Sequence, residues 1–169
     1  RLACIQAAND HQIEEWGQAY PGKFITLGIV PLWSPEKAVA EAYRTHELGI
    51  HGYSFAFPQQ FGYPHIADKV WDPFWDAAQS VDLPVNLHIG SGGSQGYRDS
   101  PNPDAHPMME LAERSTKAIS ANVQVMASIL FSGILERFPR LRMGSAESGL
   151  GWVPYLLETS DHQWERQKL

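Results

Sequence analysis

The sequence predicts an α/β fold of about four parallel strands with flanking helices, either an open sheet or a partial (β/α)8 TIM barrel, in one domain over residues 1–169. Three observations carry this. Short apolar runs alternate with helical patterns along the chain, and strand–helix–strand order implies parallel strands joined by right-handed crossovers. The longer loops follow the predicted strand ends, the side on which such sheets gather their chemistry. A complete barrel takes roughly 250 residues and eight strands, so about four strands in 169 residues make half of one.

The elements follow in order. Asn9 or Asp10 is expected to cap a helix through about Trp16, with Ile13 and Trp16 as its apolar positions and Tyr20-Pro21-Gly22 as its end. "KFITLGIVPL" (Lys23 to Leu32) is a β-rich run. Ser34-Pro35 supplies a cap and a first-turn proline for a helix that stops at Gly49, with Val39, Ala42, Tyr43 and His46 at helical spacing. "IHGYSFAF" (Ile50 to Phe57) is the second strand. Asp72-Pro73 opens a helix with Phe74, Ala77, Ala78 and Val81 on one face. Trp71 and Trp75, one turn apart, are expected in the core. "PVNLHI" (Pro84 to Ile89) is the third strand, and a polar loop from Gly90 to Pro107 follows. One or two helices then run to Phe138, with Ile119, Val123, Met126, Leu130 and Ile134 as their stripe. "LRMGSAE" is the fourth strand, and "GWVPYLLETSDHQW" starts a last helix.

Composition excludes several classes. Apolar residues make up 43% and charged residues 19%, an ordinary globular mixture. The net charge of −6 and the absence of a Lys/Arg-rich run argue against a nucleic-acid partner. No apolar run approaches the ~18 residues of a membrane span, and no signal peptide is visible. Cys4 is the single cysteine, so no internal disulfide forms. A cytoplasmic location is therefore the expectation. The chain starts at Arg1 with "RLACIQAANDH" and stops at "WERQKL", which reads as a segment of a longer protein. Exposed strand edges in such a segment would call for a second chain, so homo-oligomerisation is among the expectations.

Side chains alternate across a strand. In "LPVNLHIGSGG", Val85, Leu87 and Ile89 point one way, and Asn86 and His88 the other. His88 thus ends a polar face beside a glycine-rich loop. It reads either as a core histidine bonded to a neighbour or as a metal ligand, since imidazole suits zinc and other first-row metals. In the fourth strand Leu141, Met143, Ser145 and Glu147 share a face, with Glu147 at the C-terminal end. That carboxylate either binds metal, acts as general acid or base, or accepts backbone N–H bonds near the next helix. His46, His51, His65, His106, His11 and His162 read as structural or solvated, with His65 and His106 beside prolines at a mouth. Trp33 reads as a substrate wall, and Tyr97, Arg98 and Asp99 as loop residues that either touch a polar substrate or are solvated.

Three blocks together resemble a known family: "YPGKFITLGIVPLWSPEKAVAEAYRTHELGIHGYSF", "VWDPFWDAAQSVDLPVNLHIG" and "GILERFPRLRMGSAESGLGWVPYLLE". The family is the amidohydrolase-related one, in the branch of the metal-dependent amidohydrolase superfamily that includes aminocarboxymuconate-semialdehyde decarboxylase-like enzymes. The resemblance implies a (β/α)8 barrel holding a divalent metal, zinc or alternatively manganese. It implies a His-x-His pair on the first strand, a histidine on a middle strand, an aspartate on the last, and a further histidine in a His-Gly-Gly setting. Carried over, the middle-strand ligand falls on His88. The later histidine falls on Glu147, a departure that leaves it as metal ligand or acid/base group. No His-x-His occurs in the chain, and no final-strand aspartate appears, so the site is expected to be incomplete and the chain to be the central part of such a barrel.

The implied activity is metal-dependent hydrolysis or nonoxidative decarboxylation of a small organic carboxylate, amide or ester. The alternative is a non-catalytic barrel-derived binding module, inactive as an isolated segment; stoichiometric metal that is lost on His88→Ala separates the two. A phosphate-binding loop at "GSGGSQG" is a third reading, weakened by the absence of a following lysine in P-loop order and of a GxGxxG.

Overall fold

The computed structural model describes residues 1–88 and 104–167, with the backbone alone for residues 118–121. Four strands form one parallel sheet in the order β1-β2-β3-β4. They are β1 (Leu27–Ile29), β2 (Gly52–Phe55), β3 (Val85–His88) and β4 (Met143–Ala146). Helices α1 (Leu2–Gln12), α2 (Pro35–Leu48), α3 (Asp72–Ser80), α4 (Pro107–Leu130), α5 (Ile134–Arg137) and α6 (Trp152–Gln167) flank it. This is the four-stranded parallel arrangement the pattern predicts and the partial barrel the resemblance implies, with each strand shorter than its predicted run. Among the described residues no helix is long and apolar enough to cross a membrane.

Helix α1 starts at Leu2, well before the predicted cap, and continues as a wider π-helical turn, Ile13–Gln18. Asn9 is not a cap. It is fully buried within the helix. Its amide donates to the Ile29 carbonyl at 3.0 Å and to Glu41 Oε1 at 2.8 Å, and its Oδ1 accepts from the Ile29 N–H at 2.9 Å. The side chain thus completes the backbone pairing of β1 instead of starting a helix.

Helix α2 begins and ends as predicted: Ser34 Oγ accepts from Lys37 N, and Gly49 closes it in the left-handed conformation at φ 94°. Its buried face matches the predicted one only in part: Ala42 is buried and Val39 packs half-buried against the core. Ala38, Glu41, Ala42 and Thr45 face inward, whereas Tyr43 and His46 are exposed. Two of the four inward residues are polar, so an apolar pattern misses Glu41 and Thr45 and puts Tyr43 and His46 on the wrong side. Glu41 is only 2% exposed. It is held by Arg44 (2.7 and 2.9 Å) and Asn9, and Arg44 also pairs with Asp10 at 2.7 Å. Buried charges persist when they are paired and hydrogen-bonded in this way.

The main core lies between β2, β3 and α3. Phe55 stacks on Phe74 with centroids 5.3 Å apart and meets the rings of Trp71 and Trp75 at 5.6 and 5.0 Å. Tyr53, Val85 and Leu87 complete this layer, all buried. Each such side chain contributes about 1.5–3 kcal/mol by leaving water, with about 0.5–1.5 kcal/mol more per favourable ring pair. On α4 the buried residues are Asn122, Val125 and Ile129, one position away from the predicted stripe; Leu130 is exposed, and the Ile119 side chain lies outside the described residues. Ile134 is buried as predicted, but on α5, after a break at Gly133 (φ 68°).

Candidate active site

All four strands run the same way, so their C-terminal ends form one rim. His88 is the last described residue of β3, and Glu147 follows the last residue of β4. Strand β3 alternates as predicted: Val85 and Leu87 are buried, Asn86 is half-buried and His88 is exposed. The register pairs Leu87 with Ser145 and His88 with Ala146. Neighbours in register share a face of the sheet. Continued alternation would therefore carry Glu147 to the face of Ser145 and Leu87, opposite His88.

The structure corrects that placement. Glu147 has φ 59°, left-handed for a residue that is not glycine. A conformation of this kind costs about 1–3 kcal/mol and persists only where its surroundings impose it. It turns the side chain back to the rim, where Glu147 Oε2 stands 3.0 Å from His88 Nε2. Both side chains remain exposed, His88 at 42% and Glu147 at 72%.

Sequence reasoning missed the residues bonded on either side of this turn. Ser148 is 3% exposed and Asn122, from α4, is 2% exposed. The Asn122 amide donates to Ser145 Oγ, which lies 2.6 Å from Ser148 Oγ. The Trp152 indole N–H, at the start of α6, donates to the Ser148 carbonyl at 2.9 Å. The net worth of such bonds, about 0.5–1.5 kcal/mol each, is enough to offset the strained residue. The only trace of this in the sequence is a serine on each side of the predicted strand end.

Below His88 on the same face, Asn86 reaches over Gly144: a Cβ on Gly144 would lie 2.7 Å from Asn86 Oδ1. Asn86 also donates to the Tyr53 carbonyl at 3.4 Å. Glycine at 144 thus makes room for the amide that floors the rim.

The donor set fits a divalent metal in kind. An imidazole nitrogen and a carboxylate oxygen are zinc and manganese ligands. The two donors stand 3.0 Å apart, close enough that both would reach one ion. Among the described residues no group of three or more His, Cys, Asp or Glu side chains converges to hold a metal.

The other histidines have different work. His51 Nδ1 accepts from the Thr26 N–H at 3.2 Å, His65 Nδ1 accepts from Ala67 N at 3.1 Å, and His106 caps α4 by accepting from Met108 N. His11, His46 and His162 are exposed on helices. Trp33 is half-buried just after β1. Tyr97, Arg98, Asp99 and most of the loop from Gly90 lie outside the described residues. A hollow of about 650 Å³ opens between His11, Glu15, Trp16, Tyr20, Lys23 and Phe24. It precedes the N-terminal end of β1, and so lies at the end of the sheet opposite His88.

Comparison with known proteins places the chain. The amidohydrolase family profile matches residues 2–168. The gamma-resorcylate decarboxylase of Rhizobium sp. strain MTP-10005 is 28% identical over 169 residues, which cover 96% of this chain and 49% of that protein. The decarboxylase of the same description from Rhizobium radiobacter is likewise 28% identical. The chain spans about half the length of the relatives it matches. Among solved structures, the 5-carboxyvanillate decarboxylase of Novosphingobium aromaticivorans shares the fold. That structure has bound manganese and 3-methoxy-4-hydroxy-5-nitrobenzoic acid; it matches at a TM-score of 0.72 with 23% identity over 97% of this chain and 44% of that one. The 2,6-dihydroxybenzoate decarboxylase from Rhizobium does so at a TM-score of 0.66, with 22% identity over 99% of this chain and 51% of that one. With a profile match over nearly its whole length, this chain belongs to the amidohydrolase family.

Proposed function

We propose that the protein is a divalent-metal-dependent enzyme that decarboxylates a small hydroxylated aromatic acid without oxidation. The observation that carries this is the pair at the strand rim, His88 Nε2 and Glu147 Oε2 at 3.0 Å. Support comes from the relatives, whose descriptions name decarboxylases of resorcylate, dihydroxybenzoate and carboxyvanillate. The reaction exchanges the carboxylate for a proton: the ring carbon bearing it takes up H⁺, and CO₂ leaves.

In this reading His88 is a metal ligand through Nε2. Glu147 is either a second ligand or, when protonated, the group that brings a proton to the ring carbon. The bound ion supplies a Lewis-acid anchor for the oxygens of the substrate. Manganese is favoured by the ion in the carboxyvanillate decarboxylase structure, and zinc fits the same donors. Asn86 closes the floor beneath the pair.

The experiment is an assay of the full-length protein supplied with Mn²⁺ or Zn²⁺, measuring CO₂ released from a panel of hydroxybenzoates. Turnover that falls at least ~100-fold in His88→Ala supports the proposal. Cleavage of amides or esters with no CO₂ release moves the reading to hydrolysis on the same frame. No turnover of either class leaves a binding module.

A further inference from the structure

The left-handed turn at Glu147 is built, not incidental, and what builds it lies outside the pair itself. Residues on both sides of Glu147 are fixed from three elements. Ser145 is the third residue of β4 and takes a hydrogen bond from Asn122 on α4. Ser148 is buried directly after Glu147, its hydroxyl 2.6 Å from that of Ser145 and its carbonyl bonded to Trp152 Nε1 at 2.9 Å. Glu147 itself is exposed and touches His88 through its carboxylate; among the described residues, its pinned neighbours are what holds its backbone in a conformation that L residues avoid. Without them the backbone would relax to an extended φ, and alternation would send the carboxylate to the face of Ser145, away from His88.

We propose that Ser148, Asn122 and Trp152 are positioning residues: they lock the peptide after β4 into the turn that aims the Glu147 carboxylate at His88. The proposal rests on reading His88 and Glu147 as the working pair. It explains why an otherwise ordinary serine is buried at a strand end, and why the last helix opens with a tryptophan. Groups that orient a ligand or a proton donor from behind typically matter about 10- to 100-fold when removed.

The test uses the full-length protein and two readouts, Mn²⁺ affinity by titration and kcat for CO₂ release. Glu147→Gln identifies which of the two the carboxylate governs. Ser148→Ala, and Trp152→Phe, which keeps the ring but removes its N–H, are each expected to lower that same quantity about 10-fold with unchanged far-UV circular dichroism. In the Glu147→Gln background the same substitutions are expected to add nothing, because they act through Glu147. A loss of equal size in both backgrounds, or none in the native background, overturns the positioning role. Should Ser148→Ala fail to fold, Trp152→Phe carries the test. If Glu147→Gln alters neither readout, it is the pair itself that fails, a result distinct from the failure of its supports.

Discussion

Asn86 occupies the space that a side chain on Gly144 would need: its Oδ1 stands 2.7 Å from where the Cβ would be. The two residues are register partners on β3 and β4, one layer below His88 and Ala146. Gly144→Ala is therefore expected to force the amide out of its seat. Such overpacking costs about 1–3 kcal/mol. The cost should shrink when Asn86→Ala is added, because the clash is with that side chain alone. Urea unfolding of both single variants and the double variant measures the coupling. Strictly additive losses would show that Gly144 is needed for some other reason.

Glu41 ties α1 to α2, and it sets a pH dependence. Burial pushes its carboxyl up, but hydrogen bonds from Arg44, Asn9 and Gln6 outweigh this, and the carboxyl ends below its ordinary value. A carboxyl with a lowered folded value stabilises the protein above its unfolded pKa, about 4.3 for glutamate. That stability is lost as the pH falls through the lowered folded value. Glu41→Gln should cost stability at neutral pH and flatten the decline below about pH 4.3. Thermal melts between neutral and acid pH check it; parallel curves for the two proteins would count against the account.

Tyr53 makes the opposite prediction at high pH. Burial, opposed in part by the hydrogen bond to Thr45, pushes its phenol up to about 12. Its hydroxyl donates to the Ala42 carbonyl and meets Thr45 Oγ1, each at 2.8 Å. A raised folded value means the stabilisation is complete below the unfolded pKa, about 10 for tyrosine, and disappears as the pH rises through the folded value near 12. Tyr53→Phe is expected to lose about 1–2 kcal/mol at neutral pH through the loss of its two hydrogen bonds, to the Ala42 carbonyl and to Thr45 Oγ1. Its stability should then change less between pH 10 and 12 than that of the native protein. Chemical unfolding at three alkaline pH values measures this.

Much of the architecture is legible because it rests on local signals. Ser34-Pro35 and Gly49 bound α2, and alternation in "VNLH" assigns both faces of β3 correctly. What fails to be legible has polar side chains in structural work. Asn9 has the chemistry of a cap but bonds the backbone of β1. Glu41 and Thr45 occupy the buried face of α2, so an apolar pattern misplaces Tyr43 and His46. Glu147 is the sharpest case. Its position at the rim is readable, yet its face depends on one backbone angle set by Ser148, Asn122 and Trp152. Ser148 is next to Glu147, but Asn122 and Trp152 lie on two helices, Asn122 being 25 residues away in sequence, where no local pattern can announce them.

The central claim is that His88 and Glu147 work together on a divalent ion. The direct measurement is Mn²⁺ and Zn²⁺ binding by the full-length protein, native and with His88→Ala. The account predicts stoichiometric binding in the native protein and an affinity at least ~10-fold weaker in the variant, with the fold intact by circular dichroism. Native binding that is absent, or that is indifferent to the loss of the imidazole, would contradict it.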